Sequence, residues 1–360
     1  MGGDARKAKN YFGFLQNKMS ILKKPSGKIL SFGELLLRFS PDAGGEWLKE
    51  QQLPFYLGGA ELNVAHALAL WGLPVKYFTA LPANGLSAQI IKYLQSKGID
   101  TSSVYYGGNR IGAYFLTPGH DLKHNALVYD RANSAFAELK TGTIDWDEVL
   151  DGVGWFHFSA ICPAISQNVA EVCKEVLEAA SKKNITISVD LNYRSKLWQY
   201  GKLPLQIMPE LVTYCNLIMG NIWAAETMLG IDVAPGIHES GQQSIYLKES
   251  LKSSQSIMNT FTKCKAVANT FRFDYTNDVK YYTTLYTEDH FYHSGDYETG
   301  QVVDRSGSGD CFMAGLIYGF YNDWELAETL EFATAAAFEK LFIKGDATTK
   351  TVADIKRSMK

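Results

Sequence analysis

Residues 154 to 229 alternate between short apolar runs and segments of helical periodicity, which constrains the fold more than any other feature. Apolar runs at 155–159 and 185–190 enclose a helical segment at 166–183. Alternation of strands and helices predicts a mostly parallel sheet with helices on both faces. Ligands bind such sheets at the carboxyl ends of the strands, so the polar residues after Asp190 are early candidates for a site.

A different pattern occupies residues 103–133. Short alternating runs are separated there by turn residues, which predicts a small antiparallel sheet inserted into the α/β chain. Residues 1–27 are basic and mixed, without the apolar core or cleavage site of a secretory signal. We therefore expect an N-terminal extension over 1–27 and one large α/β domain over 28–360.

The bulk composition excludes several classes of protein. The net charge of −3 gives no support for a nucleic-acid surface. No apolar run approaches the ~18 residues that a membrane-spanning helix needs. The five cysteines are scattered without a Cys-x-x-Cys pair, which favours reduced thiols. We expect a cytoplasmic protein with neither a nucleic-acid nor a membrane partner.

The stretch 303–317 carries the strongest chemical signal. A short apolar strand end leads into the turn Gly307-Ser308-Gly309, whose backbone N–H groups can converge because no Cβ blocks them at the glycines. The helix expected after the turn adds unpaired N–H groups and partial positive charge, which suits a phosphate. Asp310 then has the position of a general base beside a phosphoryl group. An ordinary helix start with a capping Asp is the alternative.

The spacing in this stretch closely resembles the C-terminal signature of the ribokinase-like (PfkB) sugar kinases: Asp304-x-x-Gly307-x-Gly309-Asp310-x-x-x-Ala314-Gly315. The resemblance implies a three-layer α/β/α sandwich with a mostly parallel central sheet and a small β-sheet lid. It also implies that Asp310 is the catalytic base and that the turn holds the transferred phosphate. The lid would comprise residues 38–57 and 103–133 and would join subunits into a homo-oligomer.

A second motif stands earlier in the chain, in the order that this family has. Gly58-Gly59 is followed at family spacing by Asn63, which resembles the N-terminal PfkB motif that lines the sugar pocket. The resemblance implies that the glycine backbone meets sugar hydroxyls and that the Asn63 side chain hydrogen-bonds one of them. A plain turn before a helix would also use two glycines.

The segment 189–198 closely resembles one found in 2-keto-3-deoxygluconate kinases and some fructokinases. Within the first branch, the resemblance implies that Arg194 contacts an acid sugar, together with the lid residues Tyr114, Tyr129 and Arg131. A guanidinium fork suits a carboxylate well. Two alternatives stay open: Arg194 pairs with a protein acid in a neutral-sugar kinase, or Arg131 belongs to a surface ion pair.

The expected magnesium element departs from the family pattern. Asn221 matches the first residue of an Asn-x-x-Glu element, but Ala224 stands where the Glu is expected, and the nearest acid is Glu226. Either Glu226 or another carboxylate serves, or the metal is held mainly by ATP oxygens and water. No metal ligand is assigned from the sequence.

The remaining nucleotide-binding candidates come from two further segments. Thr270 and Arg272 stand where the family has a Lys-x-Gly that receives the ATP phosphates. Ala337 lies among small residues of a helix expected over 324–342, which borders the adenine base in the family. Close packing between helices is the alternative for Ala337. The implied cofactors are ATP and Mg²⁺, and a monovalent cation is left open.

The resemblance therefore implies ATP-dependent phosphorylation of a sugar primary hydroxyl, foremost that of 2-keto-3-deoxygluconate, to its 6-phosphate. A fructokinase or another neutral-sugar kinase is the alternative within the fold. A catalytically silent sugar-binding sensor is the alternative from another class, which Ala224 and the altered segment Thr270–Arg272 keep open.

Overall fold

A computed structural model describes residues 22, 26–41, 47, 52–116, 127–274, 278–288 and 290–360. Most of the predicted N-terminal extension lies outside the described residues, as do 42–46, 48–51 and 117–126 of the two predicted lid segments. The division into extension, domain and lid segments stays a prediction.

The described residues form strands β1 (Lys28–Phe32), β2 (Leu36–Phe39), β3 (Phe55–Gly58), β4 (Val75–Phe78), β5 (Ala80–Leu81), β6 (Ile99–Asp100), β7 (Tyr105–Tyr106), β8 (Gly112–Phe115), β9 (Val128–Asp130), β10 (Val153–Ser159), β11 (Thr186–Asp190), β12 (Leu217–Gly220), β13 (Ala266–Asp274), β14 (Val279–Thr287), β15 (His290–His293) and β16 (Tyr297–Thr299). They form helices α1 (Ala60–Leu70), α2 (Gly85–Ser96), α3 (Trp146–Val149), α4 (Ile161–Ile165), α5 (Gln167–Lys182), α6 (Pro204–Val212), α7 (Ile222–Leu229), α8 (Ile237–Ser240), α9 (Gln243–Thr260), α10 (Ser308–Tyr321), α11 (Leu326–Lys340) and α12 (Val352–Ser358).

The central sheet has the strand order β15-β14-β13-β12-β11-β10-β1-β4-β6, with β16 pairing β14. Its strands are parallel from β6 through β13, and the pairs β13–β14, β14–β15 and β14–β16 are antiparallel. Successive side chains of a strand point to opposite faces. Accordingly, Ile29 packs into the core cluster with α1, α10 and α11, and Leu30 into the cluster with α5, α6 and α7. The predicted three-layer α/β/α sandwich is confirmed.

A separate four-stranded sheet has the order β3-β2-β8-β9 and stands in the position expected for the lid. The pair β8–β9 is antiparallel, as predicted, whereas β2 and β8 run parallel. The expectation for β7 was wrong, because Tyr105–Tyr106 pairs in parallel with Ala80–Leu81 in its own two-stranded sheet. The expected strand end at Val303 was also wrong: its N–H donates 2.8 Å to the Leu341 carbonyl in a loop.

Helix α10 is the buried element that positions the signature turn, and it packs most extensively against α11. A Cβ on Gly315 would lie 2.5 Å from the Cα of Ala333, so the two helices approach closely only because Gly315 has no side chain. Ala333 and Ala337 are both buried in this contact region of α11. The small residues of α11 thus serve close helix packing.

Candidate active site

A cleft of about 750 Å³ opens where β11 and β12 end, beneath the lid sheet and beside the start of α10. Strands β11 and β12 contribute Asp190 and Gly220 from their carboxyl ends. The cleft brings together most of the side chains and turns singled out from the sequence: Gly59, Asn63, Tyr114, Tyr129, Arg131, Arg194, Asn221, Thr270, Arg272, Gly307, Ser308, Gly309 and Asp310.

Two of the expected site residues do not line the cleft. The Tyr114 hydroxyl and an Asp346 carboxylate oxygen would each lie 3.2 Å from a Cβ on Gly58, so the absence of a side chain leaves room for these lid contacts. Ala337 is fully buried in α11, and its carbonyl accepts a 2.9 Å hydrogen bond from the Ser308 hydroxyl. Both residues therefore occupy packing positions in this structure, and their roles at the site stay predictions.

The signature turn presents its backbone to the cleft. Gly307 has φ of 78° at the N-terminus of α10, and a Cβ there would collide with the Asp346 carbonyl oxygen. Ser308 turns its hydroxyl away from the cleft, toward α11. The residues at the start of α10 line the cleft, and the first N–H groups of a helix have no intrahelical partner, so this end of the helix suits an anion.

Asp310 lies buried in the first turn of α10, and its Oδ2 accepts a 2.7 Å hydrogen bond from Asn63 Nδ2. Burial raises the pKa of Asp310 to about 7, against the opposing effect of the Asn63 hydrogen bond. A carboxylate of this basicity is suited to accept a proton near neutral pH. The Oδ1 of Asn63 is buried and has no hydrogen-bond partner in the described part of the chain.

Arg131 has a protein acid as its partner. Its Nε donates to Glu34 Oε2 at 2.6 Å, and the Ser134 hydroxyl donates to the other Glu34 oxygen at 2.5 Å. Both charged residues are buried, so the ion pair lies in the interior rather than on the surface. Arg131 also faces Tyr129, with the guanidinium carbon 5.8 Å from the ring centroid.

Arg194 is held differently. Its Nη1 donates to the Tyr193 carbonyl at 3.0 Å, while its Nε is buried without a hydrogen-bond partner in the described ranges. Burial raises the pKa of the neighbouring Asp190 well above its usual range, and the positive charge of Arg194 opposes that increase. A buried N–H of a cation without a partner is costly, so a ligand acceptor would stabilise it.

A buried network joins the lid to the signature turn, and the sequence had not indicated it. Arg38 of β2 contacts Asp304 at 2.8 Å and Asp346 at 3.1 Å, and the hydroxyl of Tyr114 donates to Asp346. The second Asp304 oxygen accepts the Ser306 N–H at 3.0 Å. An arginine within an apolar strand was the only local signal for this network.

The family model for pfkB family carbohydrate kinases matches residues 26–253 and 283–351. The chain belongs to this family. A 2-dehydro-3-deoxygluconokinase structure from Thermotoga maritima is 32% identical, with a TM-score of 0.83 over 92% of this chain and 98% of that one. An ATP-bound fructokinase from Xylella fastidiosa, 17% identical with a TM-score of 0.71 over 92% and 97% of the two chains, shares the fold.

Two curated relatives of this carbohydrate kinase carry the names of sugar kinases. A 2-dehydro-3-deoxygalactonokinase from Haloferax volcanii is 32% identical over 173 residues, 48% of this chain and about half (54%) of the relative. A 2-dehydro-3-deoxygluconokinase from Bacillus subtilis is 23% identical over 318 residues, 88% of this chain and 90% of the relative. None of the helices described for the kinase has the length and apolarity to cross a membrane.

The kinase offers little to a metal ion by itself. Asn221 uses its Oδ1 to cap α7 through the Ala224 N–H at 2.9 Å, which leaves its amide nitrogen for a ligand. Glu226 is exposed, accepts the Val233 N–H at 3.3 Å and does not line the cleft. The described residues contain no group of three potential metal-ligating side chains. This arrangement fits Mg²⁺ carried by ATP oxygens and water.

Two arginines line the cleft of the kinase near its nucleotide-side candidates. Arg272 and Arg305 both contact Asp274, with Nε–Oδ distances of 3.3 and 3.2 Å. Guanidinium groups in such a position suit phosphate oxygens. Thr270 donates its hydroxyl to the Gly220 carbonyl at 3.3 Å.

An aromatic cluster forms another part of the cleft wall. Trp223 stacks on His238 with ring centroids 5.0 Å apart, and Tyr246 lies 5.0 Å from Phe273. The polypeptide between α7 and β13 supplies His238 and Tyr246, and the sequence there had no motif that indicated a site. Flat aromatic faces of this kind suit a planar ring system.

Proposed function

We propose that this kinase transfers the γ-phosphoryl group of ATP to the primary hydroxyl of 2-keto-3-deoxygluconate, giving the 6-phosphate. The observation that carries the proposal is the buried Arg194 Nε, which has no hydrogen-bond partner among the described residues and lies in the same cleft as Asp310. A carboxylate on the substrate would satisfy that donor with a charge-assisted hydrogen bond. The resemblance to the Thermotoga maritima enzyme supports the same substrate.

In this mechanism the Asp310 carboxylate accepts the proton of the sugar hydroxyl as the oxygen–phosphorus bond forms. The bond from the γ-phosphorus to ADP breaks at the same centre, and ADP leaves. The Asn63 amide holds the carboxylate through its 2.7 Å hydrogen bond. N–H groups of Gly307, Ser308 and Gly309 stabilise the charge that develops on the phosphoryl oxygens. Mg²⁺ bound with ATP supplies further charge neutralisation.

The lid residues have a second role in this proposal. The buried Arg131–Glu34 ion pair holds the Arg131 guanidinium beside the Tyr129 ring. Because the two charges compensate each other, the pair attracts an anion only weakly. Tyr114 is held by Asp346 and lines the sugar side of the cleft. We infer that both tyrosines and Arg131 contact the sugar, while Arg194 selects its acid group.

A second substrate is supported by a specific similarity. The Haloferax volcanii relative bears the name of a kinase for 2-dehydro-3-deoxygalactonate. That sugar acid has the same carboxylate, so the Arg194 argument applies to it equally. A fructokinase function would leave the Arg194 Nε without an acid partner. The buried base Asp310 and the anion hole beside it argue against a catalytically silent sensor.

The test is an ATP-consumption assay with Mg²⁺ over 2-keto-3-deoxygluconate, 2-keto-3-deoxygalactonate, fructose, ribose, gluconate and a sugar-free control. The proposal expects turnover on one or both keto-deoxy acids and background rates on the neutral sugars. Turnover on fructose alone would keep Asp310 as base and contradict the role of Arg194. Sugar binding without any turnover would favour the sensor.

We further propose that the lid sheet joins two copies of the chain and that the protein acts in the cytoplasm. Phe55 and Val128, in the outer strands β3 and β9, are 53% and 56% exposed. All five cysteines are free, buried thiols, in keeping with a reducing compartment. Light scattering of the wild type and of Phe55→Glu tests the assembly, which the variant should weaken.

A further inference from the structure

Lys340, the last residue of α11, is buried completely, with 0% of its surface exposed. Lysine is almost never fully buried unless its charge is compensated, because removing an ammonium from water is costly. Burial lowers the pKa of Lys340, and Cys311, Asp304 and Asp346 act in the opposite direction. Neither the catalytic proposal nor the family signature uses this side chain.

The side chain of Lys340 runs directly behind the signature turn. Its Nζ donates to the Ile343 carbonyl at 3.0 Å, and its Cε lies 3.3 Å from where a Gly307 Cβ would stand. The Leu341 carbonyl accepts the Asp304 N–H at 3.1 Å. The loop 341–346 therefore wraps around the turn, and Lys340 fastens that loop to α11.

The surroundings of the ammonium are rich in negative charge. The carbonyl groups at the C-terminus of α11 carry partial negative charge. Asp304 and Asp346 belong to the network behind the turn, where Arg38 provides a second cation. With both carboxylates ionised, loss of Lys340 would leave excess negative charge behind a site that must attract phosphate oxygens.

We propose that Lys340 is a positioning residue whose ammonium is a fixed cation behind the anion hole, so that the protein needs no dissolved monovalent cation there. The proposal rests on the proposed kinase function only for its turnover readout. Its binding readout needs no sugar, because ADP alone probes the anion hole and the nucleotide side of the cleft.

The first experiment compares wild-type ATP turnover in choline chloride with turnover at the same concentration of KCl. The proposal expects equal kcat and equal KM for ATP in the two salts. A wild type that turns over only in KCl would overturn it. This comparison uses the natural protein, so the outcome that overturns the proposal can be observed even where a Lys340 variant does not fold.

The second experiment measures ADP binding by calorimetry for Lys340→Ala, Lys340→Met and the exposed-lysine control Lys202→Met. In choline chloride, both Lys340 variants should bind ADP about tenfold more weakly than the wild type, while the control binds normally. Methylammonium should restore binding to Lys340→Ala, which leaves a cavity, but not to Lys340→Met, which fills it. Normal ADP binding by both folded variants would overturn the proposal.

The two proposals fail in different ways. Two results together support the fixed cation even where no sugar is phosphorylated. ADP binding by the wild type should not depend on KCl, and methylammonium should restore ADP binding to Lys340→Ala. Sugar phosphorylation that stops without KCl supports the kinase function and overturns the fixed cation.

Discussion

Arginines lie on both the lid side and the strand-end side of the cleft, but their partners differ between the two sides. On the lid side, Arg38 contacts two carboxylates and Arg131 contacts Glu34, and all these groups are buried. On the strand-end side, Arg194 contacts one backbone carbonyl and keeps a buried Nε without a partner in the described chain. The first arrangement is complete within the protein, and the second has room for a ligand acceptor.

This difference separates arginines that stabilise the fold from an arginine that can bind a ligand. Buried charges that satisfy each other hold elements together, and breaking one is costly because its partner stays buried. A donor that lacks a partner costs free energy until a ligand supplies one. The same residue type therefore predicts a stability defect on one side of the cleft and a binding defect on the other.

Asp310 lies where the two sides meet, and its removal should have the largest effect. Asp310→Asn keeps the size of the side chain but cannot accept the hydroxyl proton, so kcat should fall by about 10²–10⁴. Stopped-flow or coupled assays measure kcat, and circular dichroism checks the fold. Near-normal kcat in a folded variant would show that another group is the base.

Arg131→Met should damage stability more than recognition. It leaves Glu34 buried without its cation, which should lower the free energy of unfolding by about 3–5 kcal/mol. Denaturant unfolding measures this loss. Adding Glu34→Gln should recover part of it, because the uncompensated charge is gone; a single variant as stable as the wild type would contradict the structural role of the pair.

Arg194→Met is the matched change on the strand-end side. Loss of one charge-assisted hydrogen bond should raise KM for 2-keto-3-deoxygluconate about 10- to 100-fold. The free energy of unfolding should fall much less than in Arg131→Met, since Arg194 forms no ion pair with a carboxylate in the described part of the chain. A variant with a lowered free energy of unfolding and a wild-type KM would show that Arg194 stabilises the fold instead of binding the substrate.

The raised pKa of Asp310 predicts how turnover depends on pH. Wild-type kcat/KM should fall about tenfold for each pH unit below about 7, where Asp310 is protonated, and level off above it. A profile that stays flat down to pH 5 would contradict the assignment.

The same shift has a consequence for stability. The folded state binds the Asp310 proton more tightly than the unfolded state, so this carboxyl lowers stability as pH rises from its ordinary 3.8 to about 7. The free energy of unfolding of Asp310→Asn should therefore increase relative to that of the wild type over this pH range. Above the range the difference should stay constant. Thermal unfolding at several pH values measures the difference.

Glu226→Gln should have the smallest effect. Glu226 is exposed, caps the Val233 N–H and lies outside the cleft. We expect unchanged kcat and an unchanged Mg²⁺ requirement in a titration of activity against the metal. A markedly weaker Mg²⁺ response would show that this carboxylate reaches the metal after all.

The sequence predicted those features that local patterns control. The strand-helix alternation predicted the sandwich, and the Gly307–Gly309 spacing predicted the turn before Asp310, since both depend on neighbouring residues. It could not predict partners that meet only after folding. Glu34 is 97 residues from Arg131, and Asp346 is 308 residues from Arg38. Nor could the local pattern show that Tyr105–Tyr106 pairs with β5 instead of the lid.

The account is tested most directly by comparing kcat/KM for two sugars that differ only at C1: 2-keto-3-deoxygluconate and 3-deoxyfructose, its neutral analogue. Both carry the primary hydroxyl that Asp310 would deprotonate, but only the first carries the carboxylate that Arg194 would bind. The account predicts that wild-type kcat/KM favours the acid by about 10- to 100-fold. Equal values for the two sugars would contradict it.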